Sequence, residues 1–163
     1  MVEENLEESL RIRKIERGTV IDHITPGTAL YVLNILNITG IEGDIISVAM
    51  NVPSGKLKSG YKDVVKIENR ELDSNEINII SLISPNATIS IIREMNVVSK
   101  KRVEIPDEIH NVDIKCINPN CITNSNEPVK THYKVKKREP LEIECQYCYK
   151  TMTYKDILGS LKK

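Results

Sequence analysis

Four cysteines occupy the second half of the chain as CINPNC (Cys116, Cys121) and CQYC (Cys145, Cys148), a C-x4-C and a C-x2-C separated by 23 residues. Two short loops that each carry two thiolates can converge on one tetrahedral ion, and Zn2+ accepts four sulfurs at about 2.3 Å. A closed four-sulfur shell has no position left for water. The ion expected at Cys116, Cys121, Cys145 and Cys148 is therefore structural, one per chain. Its binding contributes on the order of 10 kcal/mol to folding, enough to order roughly 50 residues with little core of their own. An intracellular chain disfavours disulfides, and spacing alone leaves a four-thiolate iron site open.

A second group of reactive side chains lies in the first half. In RGTVIDHITPG a carboxylate and an imidazole are adjacent (Asp22, His23), and YKDVVKIEN and VVSKK supply Lys62, Lys66 and Lys100. On a strand Lys62, Val64 and Lys66 share a face, and converging ammonium groups anchor phosphates. Solvated strand lysines are the more frequent outcome of such a pattern. Asp22 and His23 could in principle exchange protons, but neighbours on a strand point to opposite faces and no Ser or Cys nucleophile motif accompanies them. A Walker loop, a GxGxxG and an HExxH are all absent. No catalytic residue is assigned. A carboxylate that only accepts hydrogen bonds suits a ribose hydroxyl or a base amino group instead.

The elements that must position these groups are legible from periodicity. Leu10 to Glu16 is expected as a first strand, which places Asp22 and His23 at or just past a strand end. Thr25 and Pro26 fit the cap and first turn of a helix carrying Ala29, Leu30, Val32, Leu33, Ile35 and Leu36. Asp44–Val52 and Lys62–Asn69 read as strands joined by the turn-rich PSGKLKSG. Asp73 and Glu76 form a capping box ahead of Ile77, Ile80 and Ile83. Ala87–Glu94 and Asn96–Ile105 complete a β-α-β-β-α-β order with one added strand, the ferredoxin-like arrangement. Pro106 and DEIHNVD read as a linker. Beyond it lie short strands at Val129–Val135 and Leu141–Glu144 and a helix near Tyr154–Leu161. The fold class is α+β: a ferredoxin-like domain over residues 1–105, with the acidic residues 1–9 expected to stay outside it, then a small all-β zinc-ribbon-like domain over 106–163.

Composition narrows the function classes. Lys plus Arg and Asp plus Glu both number 23, so the formal net charge is zero and gives no drive toward nucleic acid. There is no Phe or Trp, which leaves stacking to six Tyr. No apolar run approaches the roughly 20 residues of a membrane helix. The opening MVEENLEESLRIRK is acidic and lacks the apolar stretch of a secretory signal, so a cytoplasmic location is expected.

Taken in order, RGTVIDHI, NVPSG, KDVVKIEN, PNATI, CINPNCITN, EPV and CQYC make the chain resemble the regulatory chain of aspartate carbamoyltransferase over roughly residues 10 to 155. The resemblance implies a non-catalytic subunit whose first domain binds effector nucleotides (CTP, ATP, and UTP beside CTP) to control pyrimidine biosynthesis. Its zinc domain would dock on the catalytic chain. Two such chains pair through their allosteric domains, and three dimers bridge two catalytic trimers, six catalytic plus six regulatory chains. Carried over by position, Asp22 meets the ribose, Lys66 the ribose and phosphates, and Lys100 the triphosphate. His23 and Lys62 line the site, Ile15 and Ile92 wall the base, and Ile12 and Val97 lie nearby. Asn118, Asn120, Glu127 and Arg138 match positions around the catalytic-chain contact. Met95 and Arg13 depart from the family pattern near the base. The competing class is a zinc-ribbon nucleic-acid-binding protein, supported by Lys134, Lys136, Lys137 and Arg138.

Overall fold

The computed structural model describes residues 14–161. Its first sheet has five antiparallel strands in the order β2-β3-β1-β4-β5, namely β1 (Gly18–Ile24), β2 (Ile46–Pro53), β3 (Tyr61–Glu68), β4 (Thr88–Arg93) and β5 (Asn96–Arg102). Helix α1 (Ala29–Ile35) connects β1 to β2, and α2 (Ser74–Ile80) connects β3 to β4. This is the expected split β-α-β arrangement, with β5 returning beside β4 through a tight turn at Glu94 and Met95, both at positive φ. A second sheet, β6-β7-β8-β9, comprises β6 (Glu108–His110), β7 (His132–Arg138), β8 (Leu141–Cys145) and β9 (Thr151–Thr153), followed by α3 (Tyr154–Ser160).

The inner face of the first sheet is nearly all β-branched. Ile21, Ile24, Val65, Ile67 and Ile89 are buried with Val32 and Ile35 of α1 and Ile80 of α2. Each fully buried side chain of this size contributes roughly 1.5–3 kcal/mol. The capping box on α2 is present as the sequence predicts: Asp73 Oδ1 accepts the Glu76 N–H at 2.8 Å and Glu76 reaches back to the Asp73 N–H. Gly18 starts β1 with φ +138°, and a Cβ there would stand 2.1 Å from the Ile67 carbonyl oxygen, so no other residue fits the β1–β3 junction.

Two β-bulges shape the end of the sheet that carries Asp22. One falls between Ile21 and Ile24 of β1, where His23 has φ 55°, and one between Ala49 and Val52 of β2, where Asn51 has φ 58°. The buried Asp63 of β3 ties this region together. Its Oδ2 accepts the N–H groups of Gly27 (2.9 Å) and Ala29 (3.0 Å) at the start of α1, and its Oδ1 accepts that of Asn51 (2.8 Å). Asp63 thus supplies the helix cap expected from Thr25.

The two sheets share one buried core. Asn34 of α1 donates to the Leu161 carbonyl at 2.8 Å, and the Tyr154 hydroxyl of α3 donates to the Ile83 carbonyl at 2.7 Å.

Four local expectations are corrected. Lys14 to Glu16 are not in a strand; β1 begins at Gly18, because the β-branched run TVIDHI, not the charged RIRKIER, can be buried on one face. Leu10 to Arg13, including the expected site residue Ile12, lie outside the described residues. Asp22 and His23 are inside β1. Thr25 lies in a turn before α1, where its carbonyl accepts from Thr28 N–H at 3.1 Å; Thr28 holds the N-cap position without a side-chain capping hydrogen bond, which leaves the cap to Asp63. The segment read as a linker holds β6, paired to β7 through Glu108↔Lys134, Ile109↔Tyr133 and His110↔His132.

Candidate functional site

Helices cover one face of the first sheet and leave the other to polar groups. Val20 of β1 is opposite both Lys66 of β3 and Ser90 of β4, and Ser90 is opposite Lys100 of β5. Directly opposed residues share a face, so Lys66, Val20, Ser90 and Lys100 form one row. Three inter-strand steps separate the Cα atoms of Lys66 and Lys100 by about 14 Å. Asp22 is two residues along β1 from this row, and Lys62 four residues along β3. The Lys62 ammonium contacts Asp22 Oδ1 at 2.9 Å, and the His23 N–H donates to the same oxygen at 2.7 Å. In the opposite direction along the strands, Ile92 is opposite Gly18 and Val97. Ile15 and Ile92 are buried, whereas Val97 is exposed. The face therefore has an apolar end, a cationic middle and a carboxylate end.

The charges are set by this crowding. Burial pushes the Asp22 carboxyl up, but the hydrogen bonds from Lys62 and the His23 N–H, with the Lys62 charge, outweigh it and hold the group below its ordinary 3.8. Burial lowers Lys66 below 10.5; Asp22 opposes that shift and Lys14 adds to it. Burial also lowers His23 below 6.5, opposed by Asp22 and reinforced by Lys62, Lys56 and Lys100. The imidazole is thus neutral at pH 7, and its Nδ1 lies 3.2 Å from the Thr88 hydroxyl. On the other side of His23 a cleft of about 730 Å³ is lined by Lys56, Lys58, Arg102 and Glu139 among others.

Asp22, His23, Lys62, Lys66 and Lys100 thus come within electrostatic reach of one another; Ile92 and Val97 are opposed at the apolar end, and the buried Ile15 precedes Glu16, whose carbonyl accepts the Met95 N–H of the β4–β5 turn at 2.8 Å. Sequence reasoning overlooked Asp63, whose signal is its place between Lys62 and Val64 on a strand where a buried acid needs N–H donors. It also overlooked Ser90, which fills the row between the two lysines.

The cysteines form a separate centre. Cys116 and Cys121 stand on the loop after β6, Cys145 ends β8 and Cys148 follows in the turn to β9. All four Sγ atoms lie within 4.8 Å of one another, with Cys116–Cys148 at 3.5 Å and Cys121–Cys145 at 3.7 Å. A tetrahedron with 2.3 Å metal–sulfur bonds has edges of about 3.8 Å, so the arrangement fits one ion. Burial, and the neighbouring thiols, push Cys116 and Cys145 up. Burial also raises Cys148, but the Lys150 N–H, Asn118 and neighbouring thiols outweigh it and bring it down to about 7. Four thiols this close shed their protons together only against a cation. The loops are held by the Asn124 amide, which donates to the Cys116 and Asn118 carbonyls at 2.9 and 2.8 Å, and by the buried Tyr133 hydroxyl on the Ile114 carbonyl at 2.7 Å.

Asn118 and Asn120 sit in the first cysteine loop, with Glu127 exposed further along it. Arg138 ends β7 and pairs with Asp107 at the junction of the two sheets. In the basic run, Lys136 contacts Glu144 at 3.5 Å and Lys137 contacts Glu142 at 3.8 Å, so its charge is largely offset within the sheet. No helix among the described residues is long and apolar enough to cross a membrane.

Comparison with known proteins agrees with this division. Residues 10–104 match the family model for the aspartate carbamoyltransferase regulatory chain, allosteric domain, and residues 107–158 that for its metal binding domain. The chain is 51% identical over 151 residues to the aspartate carbamoyltransferase regulatory chain of Thermoplasma volcanium, covering 93% of this chain and 97% of that one. It is 50% identical over 157 residues to that of Thermofilum pendens, covering 96% and 97%, and 48% identical over 153 residues to that of Pyrococcus abyssi, covering 93% and 98%. Matches of this extent across both halves establish that the chain belongs to the family of aspartate carbamoyltransferase regulatory chains, non-catalytic subunits with an allosteric and a metal-binding domain.

Proposed function

We propose that the polar face of the first sheet binds a nucleoside triphosphate effector. The row that places Lys66 and Lys100 about 14 Å apart, with the Lys62-held Asp22 beside it, carries this reading. Asp22, fixed as an acceptor, takes the ribose hydroxyls. Lys66 meets ribose and phosphate, and Lys100 takes the triphosphate. His23 and Lys62 line the site, and Ile15, Ile92 and Val97 wall the base together with Ile12 from outside the described residues. Met95, exposed at the β4–β5 turn, stands beside the base and affects which base is preferred. CTP favours the low-affinity state of the holoenzyme and ATP the other, with UTP acting beside CTP; each shifts the balance only by its differential affinity for the two states.

Cys116, Cys121, Cys145 and Cys148 hold one Zn2+, which orders the loops and takes no part in chemistry. Exposed Ile117, Ile122, Tyr147 and Tyr149 adjoin the cysteine loops and supply an apolar surface for the catalytic chain, with Asn118, Asn120, Glu127 and Arg138 as polar contacts. The first sheet pairs two regulatory chains, and three such dimers bridge two catalytic trimers in the cytoplasm.

Calorimetric titration of CTP and ATP into the zinc-loaded chain tests the pocket, with Lys100→Ala as the control because Lys100 is exposed and its loss leaves the core intact. Both nucleotides are expected to compete for one site and to weaken at least tenfold in the variant. Absence of binding by either overturns the assignment.

A further inference from the structure

Outside both sites, three side chains converge on the outer face of the second sheet. His110 of β6 and His132 of β7 are directly opposite in the antiparallel register, and Glu108, two residues before His110, shares their face. The imidazoles stack with centroids 4.1 Å apart and planes inclined by 25°. The Glu108 carboxylate reaches toward both, with Oε2 3.8 Å from His110 Nε2 and Oε1 3.6 Å from His132 Nε2. One ligand atom from each residue lies within 4.8 Å of the other two. His132 Nε2 is shielded from solvent and has no hydrogen-bond partner, since Glu108 stands just beyond reach. A buried imidazole nitrogen without a partner calls for an explanation, and a cation between the rings and the carboxylate provides one.

We infer that Glu108, His110 and His132 form a second metal site, distinct from the cysteine centre, for a borderline divalent transition ion such as Zn2+ or Ni2+. The donor set decides the class. Two neutral imidazoles and one carboxylate suit these ions, whereas Ca2+ and Mg2+ require mostly oxygen, and no thiolate or thioether is present to favour a soft ion. Metal–nitrogen bonds of about 2.0–2.1 Å bring neighbouring ligand atoms to roughly 3–3.4 Å, so the three must close by about 1.5 Å. Glu108 and His110 are half exposed or more and can rotate toward His132, whose strand is fixed by the buried Tyr133 beside it. Three ligands on one face leave outward positions to water, which makes the ion exchangeable where the four-cysteine ion is not. Its effect is to staple β6 to β7. The inference is independent of the nucleotide assignment.

The test uses the full chain with one equivalent of Zn2+ on the cysteines, titrated with Ni2+ by calorimetry while protein-bound zinc is measured. The chain has three histidines, so His23 is the internal control. One Ni2+ is expected per chain without zinc release. Its affinity should fall about tenfold or more in His110→Ala and in His132→Ala, fall by less in Glu108→Gln, and stay unchanged in His23→Asn. His110 is 63% exposed, so that variant keeps its fold, verified by circular dichroism and retained zinc. Absence of a Ni2+ site, uptake that matches zinc loss mole for mole, or uptake undiminished in the His110→Ala, His132→Ala double variant overturns the assignment.

Discussion

Replacing Asp63 by alanine should destabilise the chain far more than any exposed acid does. The carboxylate is fully buried and accepts three backbone N–H groups, two at the start of α1 and one in the β2 bulge. Loss of a helix cap costs about 1 kcal/mol, and a buried N–H left without an acceptor costs about 1–3 kcal/mol. Gly27 and Asn51 are exposed and can recruit water, whereas Ala29 is buried. The sum is roughly 2–4 kcal/mol for Asp63→Ala. Asp63→Asn keeps one oxygen for two of the donors but turns its amide against the third, for about 2 kcal/mol. With a urea slope of about 2 kcal/mol per molar, the midpoints should move down by about 1.5 M and 1 M respectively. Glu71→Ala, which breaks an exposed pair with Arg93, should barely move it. An Asp63→Ala midpoint within about 0.5 M of the parent refutes the assignment of Asp63 as the joint between α1, β2 and β3.

Three further outcomes follow from the same structure. In chain stripped of metal, Cys148, brought down to about 7, should be alkylated by iodoacetamide at pH 7.5 well before Cys116 and Cys145, and zinc should block it; peptide mapping that finds uniform labelling contradicts this. Gly18→Ala should cost on the order of 3 kcal/mol and be seen as a lowered melting temperature, because φ +138° and the Ile67 carbonyl both exclude a Cβ. The pH dependence has two opposite signs. His23 and Asp22 are both held below their unfolded values, so their stabilisation is present above about 6.5 and 3.8 respectively and is lost as pH falls through each folded value. A bound triphosphate favours the imidazolium, so CTP affinity should rise as pH falls from 8 to 6, and His23→Asn should flatten that rise in calorimetry.

Regular features carried by local residue chemistry were legible in the sequence. The box at Asp73 and Glu76 is closed by contacts within three residues, and the β-branched run of KDVVKIEN and the short spacing inside each cysteine pair are patterns that can be read without the partner segments. What escaped was non-local. The capping of α1 depends on Asp63, 36 positions beyond Gly27, so Thr25 looked like the better cap. β6 is a strand only because β7 supplies its ladder, and its three residues leave too short a pattern to separate from a linker. Asp22 and His23 were expected at or just past a strand end and lie within the last three residues of β1, since a bulge at positive φ leaves no alternation to read. The register that aligns Lys66 with Lys100 is likewise invisible until β1 and β4 are set between them.

In the proposed function, nucleotides bound on the polar face of the first sheet control the catalytic chain through this subunit. Aspartate saturation curves of holoenzyme reconstituted with parent and Lys100→Ala regulatory chains test it most directly. The parent should show half-saturation moved upward by CTP and downward by ATP, by the severalfold that a coupling of about 1 kcal/mol supplies, and the variant should show neither shift. Curves that superimpose with and without CTP in the parent holoenzyme would contradict it.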